Sequence, residues 1–400
     1  GIRAPCGPRI SVDNGGMTPS DRPFLSLVVP CFNAEHNSLR VQSRIRRLRD
    51  PRIEVIVVDD GSSDGTLAAL EAVARDALVS VTVIPQANRG PGGARNTGLA
   101  AARGFYVWFV DCDDDFSEEA AAEIVELAPR NFDFIDFDLV GHVAPNTMSL
   151  PPGDYEVGAD LDLMGHFGRL NTKAYSRSWW NQHNVRYPEF CLYEDAPLAL
   201  ILPFLTSSFH KSSIAGYEQH LEFSSITRAA ITPQFFDRLV GAGWGFEQAL
   251  SLCRHPADRA ALTERFVELY VFFTFKNLRR LLLKPRTSLH VLVARRDFSG
   301  LVRELLIRID PRMPLQVAGI SMRVFRQFRS LMRQLSVRFS LHQGAHVVLD
   351  VSGRQLFRFL WVVSFTLGPQ TAYFDHVRKL AWNHPMETAD IIPNGVTPAQ

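Results

Sequence analysis

Residues 53–66 read IEVIVVDDGSSDGT, an apolar and mostly β-branched run closed by two aspartates and a turn rich in glycine and serine. A run this short, with no sustained polar alternation, suits a strand covered on both faces. The same unit recurs outward in both directions. LSLVVP (25–30) precedes it, and VTVIP (81–85) and FYVWFVD (105–111) follow, with helical patterns near 35–48, 63–75 and 93–102 between them. Strands alternating with helices of about ten to fifteen residues predict right-handed βαβ units, a parallel sheet and an α/β doubly wound fold. Ligands of such sheets lie at the carboxyl ends of the strands. Those ends read PCFNAE, DDGSSDGT, QANRGPGGARN and DCDDDF. DDGSSDGT alone reads as a turn with Ser63 or Asp64 capping the next helix, but four polar ends on one edge predict a shared ligand crevice.

Four hundred residues with 46% hydrophobic and 21% charged content have room for one large domain and a second region, and exclude disorder along the whole length. The net charge of +1 hides an uneven distribution. Between Asp111 and Asp162 the only Lys or Arg is Arg130, whereas Arg312 to Arg338 holds six arginines and no Asp or Glu. The first stretch suits cations and the second anions; no nucleic-acid partner is expected. The five cysteines (Cys6, Cys31, Cys112, Cys191, Cys253) are irregularly spaced and include no CxxC pair. They speak against a disulfide framework or a zinc site and for a cytoplasmic protein. APLALILPFL is interrupted by Pro203 and FLWVVSFTL is half the length of a span, so no transmembrane helix is expected. The opening GIRAPCGPRISVDNGG is polar and unlike a signal peptide, and the segment ahead of Met17 is expected to stand outside the fold.

FVDCDDDF (109–116) places Asp111, Asp113, Asp114 and Asp115 directly after an apolar strand. Adjacent carboxylates repel, so the bland reading is a solvated turn and the sharper one a bound cation. Mn2+ and Mg2+ prefer carboxylate, phosphate and water oxygens and commonly use only one or two protein carboxylates. A DxD at a strand end meets that demand against a diphosphate. The second carboxylate cluster is YED (193–195), at the start of a predicted helix. It reads either as a cap or as a base held ionised by the helix dipole.

Together VVPCFN, VVDDGSSDGT, NRGPGGARNTGL and FVDCDDDF, followed by LYEDAP and SSITR, resemble the family 2 glycosyltransferases of GT-A fold over about Phe24 to Arg228. The resemblance implies a Rossmann-like, mostly parallel doubly wound sheet and an inverting enzyme that uses a nucleotide-sugar donor, usually a UDP-sugar. Pro30, Asn33 and Glu35 would lie beside the nucleotide, and Asp60 would accept a hydrogen bond from uracil. Arg95 would contact the donor, Asp111 the ribose, and Asp113 would hold Mn2+ or Mg2+. Asp114 belongs to the family pattern as support. Asp115 departs from it and is expected to be solvated, with Cys112 a small spacer. Asp195 would be the general base, with Glu194 positioning the acceptor or the base. His220 is either a third metal ligand or a strand histidine. Arg228 is either a phosphate or sugar contact or a surface arginine. Trp179, Trp180 and Tyr187 form either an acceptor platform or core.

The predicted organisation is an N-terminal extension over 1–23, the GT-A domain over 24–230 and a mainly helical region over 231–400. Within the last, residues 320–341 separate on a helical wheel, with Phe325, Phe328, Met332, Leu335 and Phe339 on one face and Arg323, Arg326, Arg329 and Arg333 on the other. Such a helix either packs on the transferase domain or lies at an anionic membrane surface, as an enzyme glycosylating a cell-envelope glycan, polysaccharide or lipid-linked acceptor would use it. The processive synthases of the family it resembles usually carry transmembrane helices and a QxxRW motif, and neither is read here, so the resemblance implies single-residue transfer. A phosphatase of the haloacid dehalogenase type is the rival reading, but it wants its DxD after the first strand. A catalytically silent sugar-nucleotide scaffold is the other, against which the intact Asp113 and Asp195 argue.

Overall fold

The computed structural model describes residues 22–141, 148, 150–157, 163–220, 237–266, 269–270, 315–316, 338–342 and 346–350. Its first half follows the predicted alternation: β1 (Leu25–Cys31), α1 (Leu39–Arg47), β2 (Ile53–Asp59), α2 (Thr66–Asp76), β3 (Ser80–Pro85), α3 (Gly90–Ala101) and β4 (Tyr106–Phe109). These four strands are parallel in the order β3-β2-β1-β4, so all four carboxyl ends reach one edge.

Burial explains the apolar runs. Every residue of β1 and β2 is buried. Leu25, Leu27 and Val29 pack with Val55 and Val57 on the side of α1 and α2, while Val28, Ile56 and Val58 pack on the side of α3. Two polar side chains inside this layer are matched to each other: the Ser26 hydroxyl donates to Glu54 Oε1 at 2.7 Å, and the Arg103 amide donates to the same oxygen. β3 departs from the expectation of burial on both faces. It is the edge strand, and its exposure alternates accordingly.

Beyond β4 the sheet becomes mixed. The chain continues through β5 (Asp115–Phe116), α4 (Glu118–Leu127), β6 (Phe134–Gly141), β7 (Gly153–Glu156), α5 (Leu163–His166), β8 (Lys173–Ser176), α6 (Arg177–Gln182), α7 (Asp195–Leu205) and β9 (Ser208–Gln219). β8 runs antiparallel between β4 and β6, and the long β9 pairs with β6, β5 and β7, giving nine strands in one sheet. The tail of β9 therefore returns to the edge that carries the DxD.

Two helices, α8 (Asp237–Leu252) and α9 (Pro256–Phe266), pack on α7, with Ala242, Phe246 and Phe266 meeting Ala196, Leu200 and Ile201. Further on, β10 (Leu315–Gln316), β11 (Arg338–His342) and β12 (His346–Asp350) form a small antiparallel sheet. Most of the expected mainly helical stretch between α9 and residue 340 lies outside the described residues. The β-branched Val347 and Val348 favour extended backbone, and the register sets Arg338 opposite Asp350. The amphipathic segment 320–341 otherwise lies outside the described residues, as does Arg228. No helix among the described residues is long and apolar enough to cross a membrane.

Candidate active site

The loops after β1 and β2 clasp each other. Asn33, in a left-handed conformation at φ 47, donates its amide to Ser62 Oγ at 2.9 Å and accepts the Ser63 amide on Oδ1 at 2.8 Å. Ala34 donates to Thr66 Oγ1 at 2.7 Å, and Glu35 Oε2 accepts from the Gly65 amide at 3.0 Å. These bonds hold residues 33–35 and 62–65 as interlocked loops, and α1 and α2 start four and three residues later than the sequence pattern suggests. Pro30 is the buried penultimate residue of β1, opposite Val58. Asn33 and Glu35 thus reach the expected edge, where their side chains shape the loop.

Asp60 is buried, and its Oδ1 accepts from Gln86 Nε2 at 2.7 Å and from the Arg89 amide at 2.9 Å. Beside it, Asp59 Oδ1 and Gln86 Oε1 are buried acceptors with no hydrogen-bond partner among the described residues. Buried acceptors in that state are costly unless a ligand supplies donors.

Arg95, from the second turn of α3, is the hub of the crevice. One nitrogen donates to Asp111 Oδ1 at 2.5 Å and another to Glu194 Oε1, while the guanidinium lies 5.4 Å from the centre of the Tyr187 ring. Burial alone would lower the Arg95 pKa, but Glu194 and then Asp111 more than reverse this and hold it protonated. Burial raises the Glu194 pKa, with Arg95 opposing. Glu194 is the N-cap residue of α7, yet its side chain makes no capping bond. The capping explanation of this carboxylate therefore fails: its partner is Arg95. Asp195, the first residue of α7, is exposed.

The segment delivering these carboxylates is fastened to α3 at several points. Asn96 exchanges hydrogen bonds with the backbone of Tyr187 at 2.8 and 2.9 Å, Arg89 grips both oxygens of Glu189, and the Phe190 amide donates to the Arg89 carbonyl at 2.6 Å. Phe190 and Tyr193 are held at φ 57 and 61, conformations that cost about 1–3 kcal/mol each and persist only where neighbours enforce them. Gly92 permits the approach, since a Cβ there would sit 1.9 Å from the Pro188 carbonyl oxygen.

The four aspartates of the DxD stretch separate clearly. Asp114 is buried and accepts from the Tyr217 hydroxyl at 2.8 Å and the His220 amide at 2.9 Å. Its pKa is pushed up to about 8 by burial first, then by the charges of Asp111 and Asp113, with those two hydrogen bonds opposing. Tyr217 also receives the Asp111 amide at 3.1 Å. Asp115 corrects the expectation of a solvated bystander: its two oxygens accept from Arg44 Nε and Nη2 at 2.9 and 2.8 Å and its side chain is only 15% exposed. Its place in β5, against β9, turns it toward α1. Trp179, Trp180 and Tyr187 are buried core residues, which removes the acceptor-platform alternative.

His220 gives its backbone to Asp114, and its ring lies 3.4 Å from Glu218 Oε1. Among the described residues no group of three or more His, Cys, Asp or Glu is arranged to hold a metal. Asp111 and Asp113 nevertheless fit a dication that takes its remaining ligands from phosphate and water, and their charges, after burial, add to the rise in the pKa of Asp114. Sequence reading missed Tyr217, Gln86, Arg89, Asn96 and Glu189. Gln86, Arg89 and Asn96 lay inside QANRGPGGARN without being singled out, and Tyr217 and Glu189 lay outside the motifs quoted above.

The profile described as Glycosyl transferase family 2 matches residues 26–199. The glycosyltransferase EpsJ of Bacillus subtilis is 39% identical over 120 residues, 30% of this chain and 33% of EpsJ. The succinoglycan biosynthesis protein ExoO of Rhizobium meliloti is 34% identical over 124 residues, 29% of this chain and 35% of ExoO. The match thus spans about a third of the length of these relatives. The crystal structure of Staphylococcus aureus TarS 1–349 in complex with UDP-GlcNAc covers 82% of this chain and 99% of its own, with a TM-score of 0.55 at 19% identity. That likeness establishes the fold, and the mixed sheet with its four parallel leading strands agrees with it. Residues 26–199 are thus a glycosyltransferase family 2 domain, and the fold is GT-A.

Proposed function

We propose that the chain transfers a sugar from a nucleotide-diphosphate donor, a UDP-sugar, to a hydroxyl of a cell-envelope glycan, polysaccharide or lipid-linked acceptor, with inversion at the anomeric carbon. The observation that carries this reading is Arg95, which ties Asp111 of the DxD to Glu194 beside Asp195 and so holds donor-side and acceptor-side carboxylates as one unit. The relatives support the substrate class. ExoO is a succinoglycan biosynthesis protein, and TarS is a poly(ribitol-phosphate) β-N-acetylglucosaminyltransferase solved with UDP-GlcNAc.

In this reading the uracil N–H donates into the acceptors around Asp60, and Asp111 Oδ2 receives a ribose hydroxyl. Asp195 takes the acceptor proton as that oxygen attacks the anomeric carbon from the face opposite the diphosphate. Glu194, fixed by Arg95, orients the acceptor. Asp113, with Asp111 beside it, would hold Mn2+ or Mg2+, which when bound neutralises charge developing on the departing diphosphate. Transfer of one residue per encounter is expected.

UDP release across a panel of UDP-sugars, with Mn2+ or Mg2+, tests the reading. The wild-type chain should release UDP from one of them and stop when the cation is chelated. Asp113→Asn should weaken UDP binding by at least about tenfold while leaving the fold intact. A wild-type chain that binds no nucleotide diphosphate in the presence of metal would sink the proposal.

The arginine-rich segment 320–341 extends the reading to peripheral contact at the inner, cytoplasmic face of a membrane. Liposomes containing anionic lipid should carry the full chain in flotation and lose it when that segment is removed. Equal flotation of the two forms would discard the membrane contact and leave the transferase reading untouched.

A further inference from the structure

β1 and β4 run parallel in a register that sets Val28 opposite Phe109, and the Val110 amide continues the pairing onto the Val28 carbonyl at 3.0 Å. Two residues past that bond stands Cys112, in the turn that follows β4, and Cys31 is the last residue of β1. Both side chains belong to the sheet face that packs on α1 and α2, and the Cys31 thiol is hydrogen-bonded with Cys112. Two thiols in hydrogen-bond contact need only a small further approach to form a disulfide bond. Cys112 lies just past the end of β4, where the backbone is free of the ladder and can adjust to the bond. Cys253, by contrast, donates to the Ala249 carbonyl within its own helix at 3.3 Å.

We propose that Cys31 and Cys112 are a redox pair, which a peroxide closes into a reversible disulfide across the floor of the crevice and which in that form binds nucleotide diphosphate poorly. Cys112 is half-buried and meets the oxidant first, whereas Cys31 is buried and its thiol is held protonated by the hydrogen bond with Cys112 and by burial. One peroxide oxygen passes to the Cys112 sulfur, giving a sulfenic acid and water. The Cys31 sulfur then displaces the hydroxyl, and its proton leaves with it as a second water. Two thiols and one hydrogen peroxide thus give one disulfide and two waters.

The consequence for ligand binding rests on the donor site proposed above. Asp111 and Asp113 flank Cys112 in sequence, and the turn they share is closed by the Asp114 amide on the Asp111 carbonyl at 3.1 Å. Drawing Cys112 onto Cys31 pulls this turn toward β1. Asp111 is then drawn away from Arg95 and the Tyr217 hydroxyl, the contacts that fix it in the reduced form.

The test treats the reduced full-length chain with hydrogen peroxide, caps remaining thiols and maps peptides without reduction by mass spectrometry. A single linked pair containing Cys31 and Cys112 is expected, lighter by two hydrogen atoms than the two thiol peptides together. UDP binding, measured by calorimetry with Mn2+ present, should weaken by about tenfold or more on oxidation, a change of about 1.4 kcal/mol, and recover with dithiothreitol. In Cys112→Ser neither the link nor the loss should occur. The proposal is overturned if Cys112 proceeds to sulfinic acid without linking, or if the link forms and UDP binding is unchanged. Should even the reduced chain bind no UDP, the transferase reading fails, and the peptide map alone decides the pair.

Discussion

Asp195→Asn is expected to lower the transfer rate by about 10²- to 10⁴-fold, the range typical of removing a general base, while UDP binds with unchanged affinity. The substitution keeps size and hydrogen bonding but removes the ability to take a proton. Asp195 suits the part because it is the exposed first residue of α7, open to an acceptor hydroxyl. Its neighbour Glu194 does not: it is buried and one oxygen is committed to Arg95. Single-turnover rates with a fixed UDP-sugar and acceptor, alongside calorimetric UDP titrations, separate the two contributions. If Asp195→Asn transfers sugar at the wild-type rate while Glu194→Gln is inert, the base is Glu194. Equal loss of UDP affinity and rate in Asp195→Asn would instead mean a donor-binding role.

What the sequence disclosed and what it concealed divide along the range of the interactions. β1, β2 and β4 were legible because each is buried on both faces, so a local run of apolar residues is sufficient signal. The edge position of β3 depends on which strands do not exist beside it, and no local pattern carries that. The starts of α1 and α2 were misread because the residues before them are held as loops by partners about thirty residues away, Asn33 with Ser63 and Glu35 with Gly65. Asp115 was misjudged for the same reason, since Arg44 lies 71 residues earlier. The YED carboxylates stand out in the sequence as one cluster, but that Glu194 answers to Arg95 across 99 residues is a fact of packing. Trp179 and Trp180 are neighbours in sequence, and adjacency alone does not distinguish a platform from core.

Arg95→Ala is expected to affect stability and activity together, costing about 3–5 kcal/mol of folding free energy because it leaves a buried carboxylate without its counter-charge. Glu194 is the group left stranded: it is 7% exposed, and Arg95 is the main influence opposing the rise in its pKa caused by burial. Without Arg95 its folded-state pKa rises further above the unfolded value, so the folded state binds protons the more readily of the two. Stability then falls as pH rises, and the deficit of the variant should be smaller in mildly acidic than in mildly alkaline buffer. Urea unfolding midpoints at both pH values measure this. A second change separates structure from chemistry. Glu194→Gln added to Arg95→Ala removes the stranded charge and should restore part of the stability, whereas transfer should stay lost because Asp111 still lacks the partner that fixes it at 2.5 Å. Recovery of transfer along with stability in the double variant would mean that Arg95 serves only the fold, and that the link between donor and acceptor carboxylates is not what positions them for reaction.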